Sequence, residues 1–534
     1  MSNISEKYLQ EIKKAFKTEE EFQAFIDSCQ LPLKKSIKIN LHKILPEEFA
    51  QETQPDWRKL TNPWFINEKD SIIPIDVFYV DRQDTQIPLW KTFRHQSWFF
   101  YIQEVAAWMP ARFLFNLKNL KKKSEKGWKN IYQTLLEDTF SDFPSELILD
   151  ISAAPGGKSV QLWDYLQYLY SKFLQNSSDT LQTSKLWFIV SNDVNKSRIL
   201  ALAHNLNRMG IFNSWITAFN WFAFWKNLPE TFDKVLVDAP CSGEGTGFKS
   251  DFSLKFWKKE EINKISWTQF QLLVSALKTV KPWWIVVYST CTMNPYENEF
   301  NVKKILEFFK GAVILEDVKI IGKSPGIESW DWQQILSPEN AKKLARFWPH
   351  IQKTWWFFIA KFRKRETLNL RMPAENKLAP KYKNKINYDK SLQKKMFEFA
   401  KENWGIELDP NQHFFVETSS QIYLTSPKWF EVKDLIHFER IWTPIFKKDK
   451  RWNIRPNHHF GSILGHLATK NFIEIDKNTA QKYALGNDLE KSEILKEYID
   501  WNPPMWYVVI KYKKWWLGVG KLTKEGIKNK YIKS

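Results

Sequence analysis

Cysteine is nearly absent: Cys29, Cys241 and Cys291 are the only three in 534 residues. Three, so far apart, exclude a disulfide framework and a zinc cluster and point to a reducing compartment. Long apolar runs are missing too. None approaches the roughly 18 residues that span a bilayer, and residues 1–36 are polar and charged, without the apolar core of a signal peptide. These absences predict a cytoplasmic protein with no membrane association and no metal. Glycine is scarce. At a usual share of ~7% a chain of this length carries roughly 37, yet there are 17 here, beside 28 tryptophans. Acidic residues are outnumbered, 60 against 79 Lys and Arg, for a net charge of +19. The surplus is spread along the chain. It fits either a solvated lysine-rich surface or, the favoured reading, a polyanion whose counterions are released as Lys and Arg meet its phosphates.

Two or three domains are expected at this length. Residues 1–90 read as an extension, with helical periodicity over 8–26 and a short basic strand over 35–40. A helix is predicted over 106–114. From Glu146 the pattern alternates: a strand at Leu147-Ile148-Leu149-Asp150, a helix from Lys158, a strand at Phe188-Ile189-Val190, a helix over 196–209, then buried strands over 232–237 and 284–287. Such alternation predicts βαβ units around a parallel sheet, closed by antiparallel strands at 313–315 and 357–360. Residues 91–363 are the expected catalytic domain and 364–390 a basic linker rich in Lys, Asn and Pro. An intermediate domain over 391–454 and a small basic β domain over 455–534 complete the chain.

Function is carried by the ends of the strands, where open α/β sheets place their ligands. Leu149-Asp150-Ile151-Ser152-Ala153-Ala154-Pro155-Gly156-Gly157-Lys158 joins a strand to a helix through small residues, letting backbone amides approach an anionic group. It is not a phosphate-binding P-loop, because the first glycine of that motif falls on Ser152. Asp193, after the next strand, is a ribose-hydroxyl acceptor or a helix N-cap. Asn220, after the third, contacts a base edge or is simply a turn residue.

Two of the three cysteines also lie at strand tips, in Asp238-Ala239-Pro240-Cys241-Ser242-Gly243 and Ser289-Thr290-Cys291-Thr292. A lone cysteine is usually a small core hydrophobe. Two at strand tips favour nucleophilic chemistry, in which the thiolate is the reactive form. Methylation of pyrimidine carbon 5 needs such a group, since a thiolate adding at C6 makes C5 enolate-like. Asp238 is placed to contact the ring N3 side.

At these residues the chain resembles the RsmB/NOL-NOP-Sun family of S-adenosylmethionine-dependent RNA cytosine-5 methyltransferases. The resemblance runs from about Pro32 through Phe362 and includes Tyr101-Ile102-Gln103-Glu104 and Arg346-Phe347-Trp348-Pro349-His350. It implies a Rossmann-like class I methyltransferase sheet with an N-terminal α+β extension. It implies that Ser152, Ala153, Ala154, Pro155, Gly156, Gly157 and Lys158, with Asp193, Asn220 and Asp238, bind S-adenosyl-L-methionine. It also makes Cys291 the nucleophile, Cys241 the residue that helps release the product, and Asp238 the carboxylate beside them. Ser152 stands where the family usually has cysteine, and Asn220 where it has an acid. Residues 455–534 resemble the PUA-like RNA-binding module of the branch acting on small-subunit ribosomal RNA. RNA is thus the implied partner, 16S ribosomal RNA before transfer RNA. A non-catalytic RNA-binding assembly factor is the alternative from another class.

The tryptophans depart from that pattern. Lys281-Pro282-Trp283-Trp284 and Lys353-Thr354-Trp355-Trp356 stand where the family has glycine pairs before a strand, and Trp90, Trp98, Trp187, Trp221 and Trp506 also occupy glycine-like positions, whereas an aromatic suits Trp348. Turns of this kind call for positive φ, which costs a residue bearing a β-carbon ~1–3 kcal/mol. A gene that reads UGA as glycine, translated with UGA as tryptophan, would produce both the excess and the deficit. Tryptophans that stack RNA bases are the alternative.

Overall fold

The computed structural model describes residues 4–530 apart from 33, 42, 54–56, 62–75, 83–85, 116–145, 177–186, 248–253, 255–256, 321, 369–385, 411–412, 442, 450, 452 and 500–505. Most of the expected linker lies outside the described residues. No described helix is long and apolar enough to cross a membrane.

The periodic stretch near the N-terminus is two helices, Glu6–Lys13 and Glu19–Gln30. The second starts at Thr18, whose Oγ1 accepts from the Glu21 N–H at 3.2 Å. Their apolar faces, Tyr8, Ile12, Phe25 and Ile26, pack on Trp348 and Trp356. Four strands follow, β1 (Ser36–Ile39), β2 (Trp57–Thr61), β3 (Val77–Arg82) and β4 (Phe100–Ile102), in the order β2-β3-β1-β4. The helix predicted over 106–114 is instead a 3-10 turn, Ala106–Trp108, running into a single α-turn, Met109–Arg112. Pro110 there has no N–H to extend a regular helix through it.

The central sheet holds β5 (Glu146–Asp150), β6 (Trp187–Asn192), β7 (Ser214–Thr217), β8 (Phe232–Asp238), β9 (Val280–Thr290) and β10 (Val313–Glu316), with β13 (Ala345–Phe347) and β14 (Phe357–Lys364) after the small hairpin of β11 (Ser329–Trp330) and β12 (Gln333–Gln334). Its order is β10-β14-β9-β8-β5-β6-β7, with β5 to β9 parallel and β14 and β10 antiparallel. Leu147 to Leu149, Phe188 to Val190, Val235 to Val237 and Val286 to Tyr288 are buried, as unbroken apolar runs must be in a sheet covered on both faces. The chain runs outward from β5 through β6 and β7, then returns to start again at β8. The strand order therefore reverses between β5 and β8, which is where a doubly wound sheet opens a ligand crevice.

The C-terminal part supplies β15 (Phe414–Glu417), β16 (Gln421–Thr425), β17 (Arg440–Ile441), β18 (Pro444–Lys448) and β19 (Ile454–Pro456); β17 leaves its neighbours to pair antiparallel with β7. Then come β20 (Phe472–Ile475), β21 (Leu489–Glu490), β22 (Ile494–Tyr498), β23 (Tyr507–Tyr512), β24 (Trp515–Leu522) and β25 (Gly526–Asn529) in the order β21-β25-β24-β23-β20-β22, the PUA-like β domain. The helix His458–Leu464 lies close on β24, where a β-carbon on Gly461 would sit 2.1 Å from the Gly518 carbonyl. The two ends of the chain share a core: Ile37, Ile39, Phe49, Phe99 and Phe100 pack with Ile473, Val508, Ile510, Trp515 and Leu517.

Trp283, inside β9 at its break in register with β8, is left-handed (φ 71°), and so is Lys353 (φ 54°) in the turn before β14. Trp284, Trp355 and Trp356 do not take positive φ, so the backbone does not require glycine at those three.

Candidate active site

The loop after β5 wraps the start of the helix Gly157–Asn176. Gly156 is left-handed (φ 107°), and a β-carbon there would lie 2.9 Å from Leu202 Cδ1; one on Gly157 would lie 2.5 Å from Gln103 Oε1. The Gln103 oxygen is buried and meets no donor among the described residues. Asp150, at the tip of β5, accepts from Ser159 Oγ at 2.6 Å through one oxygen, while its other oxygen is buried without a donor. Burial, with the neighbouring Asp238 adding to it, raises its carboxyl to about 7. Asp193 is fully buried. It accepts from the Ala154 N–H (3.3 Å) and the Asn195 N–H (2.9 Å) and lies 3.2 Å from an Arg198 guanidinium nitrogen. The cap of the helix Lys196–Arg208 is Asn195, which accepts from Ser197 and Arg198. The capping alternative for Asp193 is therefore wrong. Asn220 does cap: its Oδ1 accepts from the Phe222 N–H at 3.0 Å.

Across the switch point, Lys158 reaches from the loop to Asp238 at the tip of β8, Nζ to Oδ2 at 2.6 Å. The other Asp238 oxygen accepts from Ser289 Oγ at 2.7 Å. The two cysteines meet. Cys241 Sγ and Cys291 Sγ are 3.2 Å apart, although 50 residues separate them. Parallel pairing of β8 with β9 sets Asp238 beside Ser289 and brings the following loops together. The hydrogen bond to Cys291 and then burial push the Cys241 thiol well above its usual range. Cys241 therefore keeps its proton and can donate it to the Cys291 sulfur.

A polar shell not assigned from the sequence supports this pair. Glu297 Oε2 accepts from the Ser242 N–H at 3.0 Å and from Gln269 Nε2 at 2.7 Å, and Gln269 also donates to the Pro240 carbonyl at 2.9 Å. Burial first, and the Glu244 carboxylate second, raise Glu297 to about 7. Glu244 accepts from Thr292 Oγ1 (2.9 Å) and from the Trp257 indole N–H (2.9 Å), and burial raises it too. The signal for Glu297 in the sequence was its position six residues beyond Cys291. Glu244 and Gln269 carried none. Among the described residues no group of three or more His, Cys, Asp and Glu is placed to hold a metal ion.

Residues 139–363 match the family model described as 16S rRNA methyltransferase RsmB/F. Over 509 residues the chain is 29% identical to the ribosomal RNA small subunit methyltransferase F of Aeromonas salmonicida (strain A449), covering 95% of this chain and 91% of the relative. It is 27% identical over 537 residues to the protein of that name from Vibrio campbellii (strain ATCC BAA-1116), covering 98% and 96%. Among solved structures, the crystal structure of PH0851 shares the fold at TM-score 0.50 and 22% identity, over 68% of this chain and 66% of that one. The cofactor is S-adenosylmethionine. The residues present fit it: buried carboxylates at the tips of β5 and β6, a glycine cradle with an open acceptor in Gln103, and a lysine at the loop's end suit a molecule that bears cations, ribose hydroxyls and a carboxylate. Residues 139–363 are thus similar to the RsmB/F 16S rRNA methyltransferases, and the chain over most of its length is similar to small-subunit ribosomal RNA methyltransferases F.

Proposed function

We propose that the protein methylates carbon 5 of a cytosine in small-subunit ribosomal RNA through a covalent bond to Cys291. The observation that carries this reading is the approach of the two sulfurs to 3.2 Å beside the Lys158–Asp238 pair. The names of the full-length relatives support ribosomal RNA as the substrate.

Ser152 to Lys158, Asp193 and Asn220 hold the cofactor, which when bound supplies an electrophilic methyl group. Ser289 and Lys158 orient Asp238 from its two sides, so that it faces the pyrimidine edge. The target base leaves its stack to reach a site this deep. Cys291 as thiolate adds to C6, and the electron pair displaced onto C5 would bond the methyl carbon as the cofactor's sulfonium sulfur keeps the C–S pair and becomes a neutral thioether. A base then removes the C5 proton, and the returning electrons expel Cys291. Cys241 holds its proton on sulfur at hydrogen-bond distance from that leaving thiolate and assists its departure. Residues 1–90 and 391–534 flank the catalytic domain, 91–363, and supply basic RNA-binding surface. The test is trapping. RNA carrying 5-fluorocytosine cannot lose a proton from C5, so a stable adduct through Cys291 is expected, detected as a peptide–nucleotide crosslink. Methylation without any such adduct would refute the mechanism.

A further inference from the structure

Two turns and one break in strand register, in three parts of the molecule, each place a tryptophan where the backbone is left-handed. The turn between Phe93–Gln96 and β4 is a Schellman motif, with Phe99 N–H donating to the Arg94 carbonyl (2.9 Å) and Trp98 N–H to the His95 carbonyl (3.2 Å). Trp98, at φ 71°, fills the position in which such motifs use glycine. Pro282-Trp283 lies within β9 at the register shift where Phe232 pairs with Val280 but Lys234 with Ile285, and Trp283 there takes φ 71°, the left-handed angle that glycine supplies in a bulged strand. Asp331 and Trp332 form the two-residue connection of the β11–β12 hairpin at φ 49° and 63°, and a turn left-handed at both residues favours Asp-Gly.

We infer that positions 98, 283 and 332 are glycine in the protein the cell makes, their codons being UGA read by a glycine-charged transfer RNA. The same exchange accounts for 17 glycines beside 28 tryptophans. Base stacking does not explain the set. Trp283 and Trp332 are exposed, but Trp98 is 3% exposed, stacked on His459 and pressed against Gly210, where no base can reach it. All three share only the backbone angle. The inference also bears on the site, because Trp98 precedes the strand that leads to Gln103 and Trp283 lies in the strand that ends beside Cys291. It stands whether or not the proposed chemistry holds.

The coding DNA decides first: UGA is expected at all three codons, and UGG at any one overturns the inference for that position. Peptide mass spectrometry of the protein purified from its source cells should then find glycine at 98, 283 and 332. Tryptophan in those peptides, even over UGA codons, overturns it. A backbone measurement separates angle from bulk. In a host that makes the sequence as printed, Trp332→Gly should raise the melting temperature by a few degrees, and Trp332→Ala should not. Equal effects of the two would show that the turn does not call for glycine.

Discussion

Two buried charge clusters, one under the N-terminal sheet and one at the strand tips, treat their carboxylates in opposite ways. Asp76 is fully buried, and burial alone would raise it, but Arg112 and Lys38 outweigh that and hold it below its usual range. Lys38 also pairs with Asp164, so cations and carboxylates here neutralise one another. Asp150 and Glu297 are just as deep, yet both rise to about 7, because burial outweighs the pull of Lys158 on Asp150 and the nearby Glu244 carboxylate adds to the burial of Glu297. Compensated burial welds the N-terminal sheet to the turn at Met109–Arg112 and the helix Gly157–Asn176. Uncompensated burial leaves groups that can change protonation near neutral pH, the condition expected of a reaction centre.

The largest effect should come from the tips. Cys291→Ala should lower methyl transfer at least ~10³-fold, read by tritium transfer to RNA, while cofactor binding measured by calorimetry is kept. Next, Asp76→Ala should cost about 3–5 kcal/mol by stranding two buried cations, read from urea unfolding. A loss under about 1 kcal/mol would mean the cluster welds nothing.

The pH response sharpens the contrast further. Asp150 and Glu297 titrate higher folded than unfolded, so between about pH 4.5 and 7 the native state binds more protons and stability falls as pH rises. Each contributes up to about 1.4 kcal/mol per pH unit, and Glu297→Gln should flatten that slope, whereas an unchanged slope would assign it elsewhere. The smallest expected change is Asn195→Ala, about 1 kcal/mol for a lost helix cap. Urea unfolding reads it, and the Asp193 bond to the Asn195 backbone N–H should be kept, since the substitution leaves that N–H in place.

Much of the sheet was legible because strands buried on both faces must be continuously apolar, and β5, β6, β8 and β9 are. Cys241 and Cys291 stood out because rare residues at strand tips have few reasons to be there. Glu244 and Gln269 were not legible, since a buried carboxylate or amide on a helix reads as any surface residue until its neighbours are known. Whether Asp193 caps the following helix stayed open because Asn195, two residues on, can accept the same bonds, and only the helix's actual start decides. The periodicity over 8–26 hid a break at Thr18 for a similar reason, as both helices present apolar faces of the same kind.

The residues themselves determined the parallel sheet, the small-residue loop, the two thiols at strand ends and the basic surface, since each follows from local pattern and composition. Only the tertiary structure decided that β8 and β9 lie side by side, that their loops bring two sulfurs within 3.2 Å, and that β17 edges the central sheet while the chain's two ends share one core. Those outcomes depend on contacts between residues tens to hundreds of positions apart, and on which buried charges find a partner, which no local stretch of sequence encodes.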